Sequence, residues 1–191
     1  MVSAAPEFVY YLLNKPAGCV SATEDRNDRT VMEYVPSDRK GLFPVGRLDK
    51  DSEGLLLMTN NGDIINRMMR AANKHEKEYK VTVDKPVTDE FLKEMAGGVP
   101  ILDTVTRPCQ VEKLGKYKFK IILTQGLNRQ IRRMCEALGY EVKELRRVRI
   151  MNIELGNLKP GEYRKVTDQE LNELYELIRD SKSEPTPWNN N

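Results

Sequence analysis

Cysteine is scarce and histidine nearly absent, with three of the former and one of the latter in 191 residues. Cys19, Cys109 and Cys135 are odd in number and widely spaced, without a Cys-x-x-Cys pair. That pattern argues against a disulfide framework and against a cysteine zinc site. His75 opens a His-Glu-Lys-Glu-Tyr run that begins like a zincin motif, but a second histidine is missing, so no metal site is expected. A Ser-His-Asp triad lacks its usual companion, the Gly-x-Ser-x-Gly elbow. Neither Gly-x-Gly-x-x-Gly nor a Walker loop occurs, and Gly97-Gly98 follows a helical pattern instead of opening one. No cofactor is therefore expected. Long hydrophobic runs are missing too: residues 55–58 and 121–123 are strand-sized, far short of a bilayer span. Residues 1–7 carry no basic cluster, and the apolar stretch behind them soon meets Asn14, Lys15 and Pro16, unlike a secretory signal. These absences together predict a cytoplasmic protein without a membrane segment.

Neither sign of charge dominates: 31 basic residues face 29 acidic ones, a net charge of +2. Their distribution is less even. Residues 129–149 hold seven basic side chains (Arg129, Arg132, Arg133, Lys143, Arg146, Arg147 and Arg149) against three acidic ones, a local excess of four. A basic patch on a nearly neutral chain points to a polyanionic partner held at one face, although a solvated helix and strand surface gives the same pattern.

Residues 8–13 form an apolar run stopped by Lys15-Pro16-Ala17-Gly18, hence a strand and turn. Residues 31–35 suggest a helical turn ended by Pro36, and residues 55–59 a strand buried on both faces. Asn60-Asn61-Gly62 leads into a helix marked by Ile64, Ile65, Met68 and Met69. Residues 79–83 alternate as a strand. Thr88 can cap a helix over 89–96, and residues 104–114 and 117–124, joined through Gly115, predict a hairpin. A helix over about 128–138 shows the apolar stripe Ile131, Met134, Cys135 and Leu138, with Gly139 as its stop. A basic strand over 142–151 follows. Thr167 and Glu170 make a capping box for a last helix, and residues 181–191 are polar enough to predict disorder. Strands and helices do not alternate strictly, which favours an α+β fold. The chain divides at about residue 84 into two halves, 1–84 and 85–180.

The most informative stretch is Gly46-Arg47-Leu48-Asp49-Lys50-Asp51-Ser52-Glu53-Gly54, just before Leu55-Leu56-Leu57. A carboxylate between two glycines, ahead of a buried strand, can project from a fixed loop on a rigid scaffold. By spacing alone an ordinary charged turn accounts for it equally well. With Ser52, Gly54 and Thr59-Asn60, however, it resembles the signature motif of the RNA pseudouridine synthases, in their RsuA-type ribosomal branch. Three further segments follow the family's order: Asn14-Lys15-Pro16-Ala17-Gly18, Lys77-Glu78-Tyr79, and Asn128-Arg129-Gln130-Ile131-Arg132-Arg133-Met134. The wording around His75 and Gly126 is nearest the RluF subgroup. The likeness covers roughly residues 8–178.

The resemblance implies a pseudouridine synthase fold: a mixed, mainly antiparallel sheet in two packed halves, with the active-site cleft between them. It implies an isomerase that turns uridine into pseudouridine in ribosomal RNA, here the large-subunit 23S rRNA or an assembling large subunit. The chain would act as a monomer, without metal or small-molecule cofactor. Asp49 is the implied catalytic carboxylate, attacking C1′ or acting as a base at C2′. Arg132 would hold it ionised through two parallel hydrogen bonds. Tyr79 would stack on the flipped uracil and Leu145 would pack beneath it. Arg47, Arg129, Arg133, Arg146 and Arg147 are the expected substrate-binding residues, the arginines serving phosphates. Most members of the branch carry an S4-type RNA-binding module ahead of the catalytic domain, and none is expected in this chain. Two other classes compete: a non-catalytic RNA-binding or ribosome-assembly module using the basic patch, and a metal-independent hydrolase using Asp49 with Asp51 or Glu53.

Overall fold

A computed structural model describes residues 7–36, 41–72 and 74–179. In chain order it contains β1 (Tyr10–Lys15), a 3-10 turn (Val31–Tyr34), β2 (Phe43–Val45), β3 (Glu53–Thr59), α1 (Gly62–Ala71), β4 (Lys77–Val83) and α2 (Asp89–Gly97). There follow β5 (Pro100–Ile101), β6 (Thr104–Val105), β7 (Gln110–Gly115), β8 (Lys118–Leu123), α3 (Gln130–Ala137), β9 (Val142–Ile150), β10 (Ile153–Glu154), β11 (Tyr163–Lys165) and α4 (Asp168–Ile178). Among the described residues no helix is long and apolar enough to cross a membrane. The tail expected to be disordered, 181–191, lies outside the described residues.

The α+β fold with a mixed, mainly antiparallel sheet is as expected. One nine-stranded sheet runs β11-β1-β3-β9-β4-β8-β7, with β2 also on β3 and β10 on β9. Its single parallel pairing joins β3 to β9, Glu53 facing Arg146 and Gly54 facing Arg147. Farther along, β3 exchanges that neighbour for β2. The sheet is continuous across the midpoint of the chain, because β9 inserts between β3 and β4. Three apolar clusters cover it. Leu12, Leu55 and Leu57 pack under α1 and α4, while Leu13, Leu56 and Met58 pack on the opposite face with Cys19, Val31 and Leu48. The third cluster joins Val81 and Leu145 to α2 and α3. A strand whose two faces both meet a core needs an unbroken apolar run, and residues 55–58 supply it.

Local signals fix the helix starts. Asn61 accepts from the Asp63 amide at the head of α1, and Thr88 accepts from Phe91 at the head of α2. The capping box at Thr167 and Glu170 is complete. Arg164 also grips Glu170 through two bonds of 2.7 and 2.8 Å, drawing that carboxyl down to about 2.

The expected hairpin over 104–124 is only partly formed. Its second half is the β7–β8 pair, whereas Thr104 and Val105 turn back on β5. The separation has a physical cause. Thr106 Oγ1 accepts from the Val99 amide at 2.8 Å, its own amide donates to Val99 O, and Pro108 has no N–H to extend the ladder. The helix expected over 128–138 begins at Gln130, since Arg129 adopts a left-handed conformation (φ 48°, ψ 37°) at its N-cap.

Gly54 marks the closest approach in the sheet. Its φ is +115°, and a Cβ there would lie 2.2 Å from Arg147 O and 2.5 Å from Arg147 N. Gly54→Ala should therefore destabilise the fold by more than about 2 kcal/mol, through forbidden backbone geometry and a backbone clash together. Urea denaturation of the purified variant would measure this, and an unchanged midpoint would mean that the β3–β9 seam can spread at little cost.

Candidate active site

Asp49 sits in the turn that enters β3, and its neighbours hold the turn from below. Lys15 is the last residue of β1 and has no exposed surface. Its ammonium donates to Ser52 O at 2.6 Å, Pro16 O at 2.9 Å and Lys50 O at 3.3 Å. Ser21 Oγ closes a second anchor, donating to Leu48 O at 2.9 Å and accepting from the Leu48 amide at 3.0 Å. Asp49 O accepts from the Ser52 amide, Gly18 N reaches Lys50 O at 2.7 Å, and Arg132 Nη2 reaches Asp51 O at 3.1 Å. Every carbonyl from Leu48 to Ser52 thus has a donor, and none is left to pull the turn into another shape. Burial pushes the Lys15 ammonium below its usual range, opposed by the nearby charges of Cys19, Asp51, Asp49 and Glu53.

From above, α3 meets the same turn. Arg129 Nη1 stands 3.3 Å from Asp49 Oδ2, and both its terminal nitrogens bond Asp51, at 3.2 and 3.1 Å. The Asp49 side chain remains 39 % exposed. Hydrogen bonds from Arg129 hold the Asp51 carboxyl below its ordinary range, against some desolvation, with Arg132 assisting. Arg132 is buried under this contact, donating to Ser52 Oγ at 3.2 Å and standing 3.5 Å from Asp51 Oδ2.

Two expectations are corrected here. Arg132 was expected to pair with Asp49, but the ion-pair partner of Asp49 is Arg129, and Arg132 holds Asp51 and Ser52. The cause is the left-handed turn at Arg129, which throws its side chain over the loop while the first helical turn buries Arg132 beside Gln130 and Ile131. Nor is the basic patch an open phosphate-binding surface. Arg147 is buried with Nε on Leu55 O, Arg146 pairs with Glu53 at 3.3 Å, and Arg149 spans Glu76 and Glu78. Arg133 bonds the Asn128 side chain and carbonyl. Lys143 lies 3.4 Å from Glu141. Arg132 and Arg147 are thus spent inside the protein, whereas Arg146 and Lys143 meet their acids at the surface.

The remaining expected residues fall as follows. Tyr79 is half-buried on β4 opposite Arg147, and Leu145 is buried opposite Val81, both against the α2–α3 core. Arg147 of β9 thus faces Gly54 of β3 on one side and Tyr79 of β4 on the other, with Leu145 two residues earlier on the same strand. Arg47 is exposed. Lys77, two residues before Tyr79, was not singled out. It is largely buried and donates to Ala72 O and Thr124 O, tying the end of α1 to the loop ahead of α3. Burial, with Arg147 and Arg107 nearby, lowers it to about 8. Lys15 and Ser21 also hold the site without having been assigned a role in it from the sequence, and Asp51, named there only as the partner acid of a hydrolase, binds Arg129 and Arg132. A lysine closing an apolar strand was the available signal for Lys15, whereas the Ser21 contact spans 27 positions and has none.

Lys15→Met keeps the length of the side chain and removes three hydrogen bonds from buried or half-buried carbonyls. It should cost at least about 2 kcal/mol of stability and speed hydrogen exchange at the Ser52 amide. Equilibrium unfolding and exchange of the purified variant check both effects, and wild-type behaviour in each would show that the turn holds itself.

Comparison with known proteins identifies the family. A family model described as RNA pseudouridylate synthase matches residues 9–137. The dual-specificity RNA pseudouridine synthase RluF of Escherichia coli K12 is 55% identical over 183 residues, covering 96% of this chain and 63% of that protein. The chain therefore spans less than two thirds of the length of that relative. An uncharacterized RNA pseudouridine synthase of Aquifex aeolicus is 37% identical over 177 residues, covering 90% of this chain and 73% of the relative. A crystal structure of a pseudouridylate synthase superposes with a TM-score of 0.81 at 33% identity, covering 88% of this chain and 74% of the other. With the match running from β1 through the Asp49 turn to the end of α3, the chain belongs to the RNA pseudouridylate synthase family.

Proposed function

We propose that the chain isomerises uridine to pseudouridine in ribosomal RNA, with Asp49 as the catalytic carboxylate. The observation that carries this reading is the Asp49 turn itself, its carbonyls all hydrogen-bonded, with the Asp49 carboxylate accessible beside a guanidinium that a single contact leaves it sharing with Asp51. Mere RNA binding needs no such geometry, since phosphates are held by cations and not by a carboxylate. Support also comes from relatives whose names record RNA pseudouridine synthases.

The reaction breaks the bond from C1′ to N1 and makes one from C1′ to C5; the C5 proton leaves and N1 gains one. Atoms and electrons balance without redox change. Asp49 acts as an anion, attacking C1′ or removing the C2′ proton, and in a site closed over by the base desolvation would disfavour that anion. Arg129, 3.3 Å away, opposes the effect with a permanent charge. Tyr79 offers a ring at the same seam for stacking on an extruded uracil, and its hydroxyl a route for the C5 proton. Leu145 supplies apolar support beneath, and exposed Arg47 a contact to the RNA or to the space the base vacates. The substrate proposed is 23S rRNA, free or in an assembling large subunit, met in the cytoplasm by a monomer whose two halves, 1–84 and 85–180, flank the cleft.

Incubation with unmodified 23S rRNA, followed by position-specific pseudouridine detection, tests the activity and names the target. The wild-type chain should modify a defined uridine. Asp49→Asn should fold and bind RNA as before, yet fall by at least about 10³ in turnover, as expected when a nucleophile or base is lost. Near-wild-type turnover by that variant would eliminate the proposed chemistry.

A further inference from the structure

Asp51 lies two residues beyond the carboxylate assigned to the chemistry and has no part in it, yet it is the most heavily engaged acid of the site. Its Oδ1 and Oδ2 each accept from Arg129, at 3.2 and 3.1 Å, and Oδ2 lies 3.5 Å from Arg132 Nη1. Its carbonyl accepts from Arg132 Nη2 at 3.1 Å. Two arginines on successive turns of one helix thus converge on a single residue. Only one arm of this arrangement reaches Asp49, through Arg129 Nη1.

We propose that Asp51 is a positioning residue: it clamps Arg129 and Arg132 to the turn and so keeps a guanidinium beside the Asp49 carboxylate. The proposal rests on the pseudouridine synthase reading for its catalytic consequence, though not for the clamp itself.

Four observations support it. Arg129 is held by two parallel bonds, the arrangement that fixes the plane of a guanidinium, whereas its contact with Asp49 is a single one. The Arg129 backbone is left-handed, a conformation that residues with a Cβ rarely adopt and that persists where the surroundings enforce it. No side chain caps α3, and the Asp51 bridge, with the Asp49 and Ser52 contacts, secures this end of the helix to the turn. Finally, Arg132 is buried, and a buried cation needs an anionic neighbour. An ordinary surface ion pair, worth little, joins two mobile exposed chains. Here Arg129 and Asp51 are partly exposed, but Arg132 is buried and bonds the Asp51 carbonyl, which ties the acid at its backbone. The charged groups around Asp51 are Lys15 from β1, Glu53 at the start of β3, Asp49 in the same turn, and Arg129, Arg132 and Glu136 from α3.

Asp51→Asn, Arg129→Gln and the double variant would be compared with wild type in single-turnover and steady-state assays on a 23S rRNA fragment. Asp51→Asn should lower kcat about tenfold or more while KM changes less than about twofold, because orientation is lost and RNA contact is kept. The double variant should be no slower than the worse single one, since both break the same clamp. Unchanged kcat, a change confined to KM, or additive losses would each overturn the positioning role. A second readout does not depend on activity. The Asp51 carboxyl titrates below its unfolded value, so its contribution to stability is present at neutral pH and lost as pH falls through the carboxylate range. Asp51→Asn should melt below wild type at pH 7, and the gap should close towards pH 3. No gap at pH 7 would overturn the clamp, whereas an inactive wild-type chain that shows the gap would count against the proposed function alone.

Discussion

One buried ammonium underlies the site. Lys15 ends a strand that is otherwise apolar, and it can be buried only because three carbonyls converge on it. Those carbonyls belong to segments on both sides of Asp49, so a single charge sets the shape of the turn and the strand it leaves from. Desolvating such a charge is costly. The compensation comes from carbonyls and from the acids above it, Asp49, Asp51 and Glu53. The acids that line the site also help to keep the cation beneath it charged, so the two layers support each other.

The arginines are arranged on the same principle. A surface dense in basic residues suggests a phosphate-binding face, but guanidinium groups here mostly serve as internal cross-links. Arg147 ties β9 to β3 at Leu55, Arg146 ties it to Glu53, and Arg149 ties it to Glu76 just ahead of β4 and to Glu78 within it. Arg149 uses several donors at once, to Glu76, Glu78 and the Met151 carbonyl, which a lysine could not reproduce. The strand that brings Leu145 to the seam is thereby locked on both edges.

Much of the fold was legible from local pattern. The apolar run at residues 55–58, the caps at Thr88 and Thr167, and the stripe on α3 each follow from short-range rules, although α3 starts two residues later than the pattern suggests. The motif order located Asp49 and its neighbours. What could not be read was pairing at a distance. The charges of residues 129–149 looked unspent because their partners, Glu53, Glu76, Glu78 and the Leu55 carbonyl, lie 71 to 93 positions away. The exchange of Arg132 for Arg129 beside Asp49 depends on one backbone residue with positive φ, and arginine carries no sequence signal for that conformation. The broken hairpin at 104–109 turned on a side chain, Thr106, replacing a ladder bond.

The insertion of β9 between β3 and β4 has a consequence in time. Residues 53–59 and 77–83 leave a ribosome well before residues 142–150, yet they are not neighbours until β9 lies between them. The pairing of β1 with β11 closes an even longer interval, from Tyr11 to Lys165. Contacts this distant in the chain pay their loop-closure entropy before any stabilising contact forms, and folding is slowed accordingly. The nascent chain therefore carries the Asp49 turn without its lid of arginines until α3 and β9 have emerged, and the site is among the last parts of the molecule to exist.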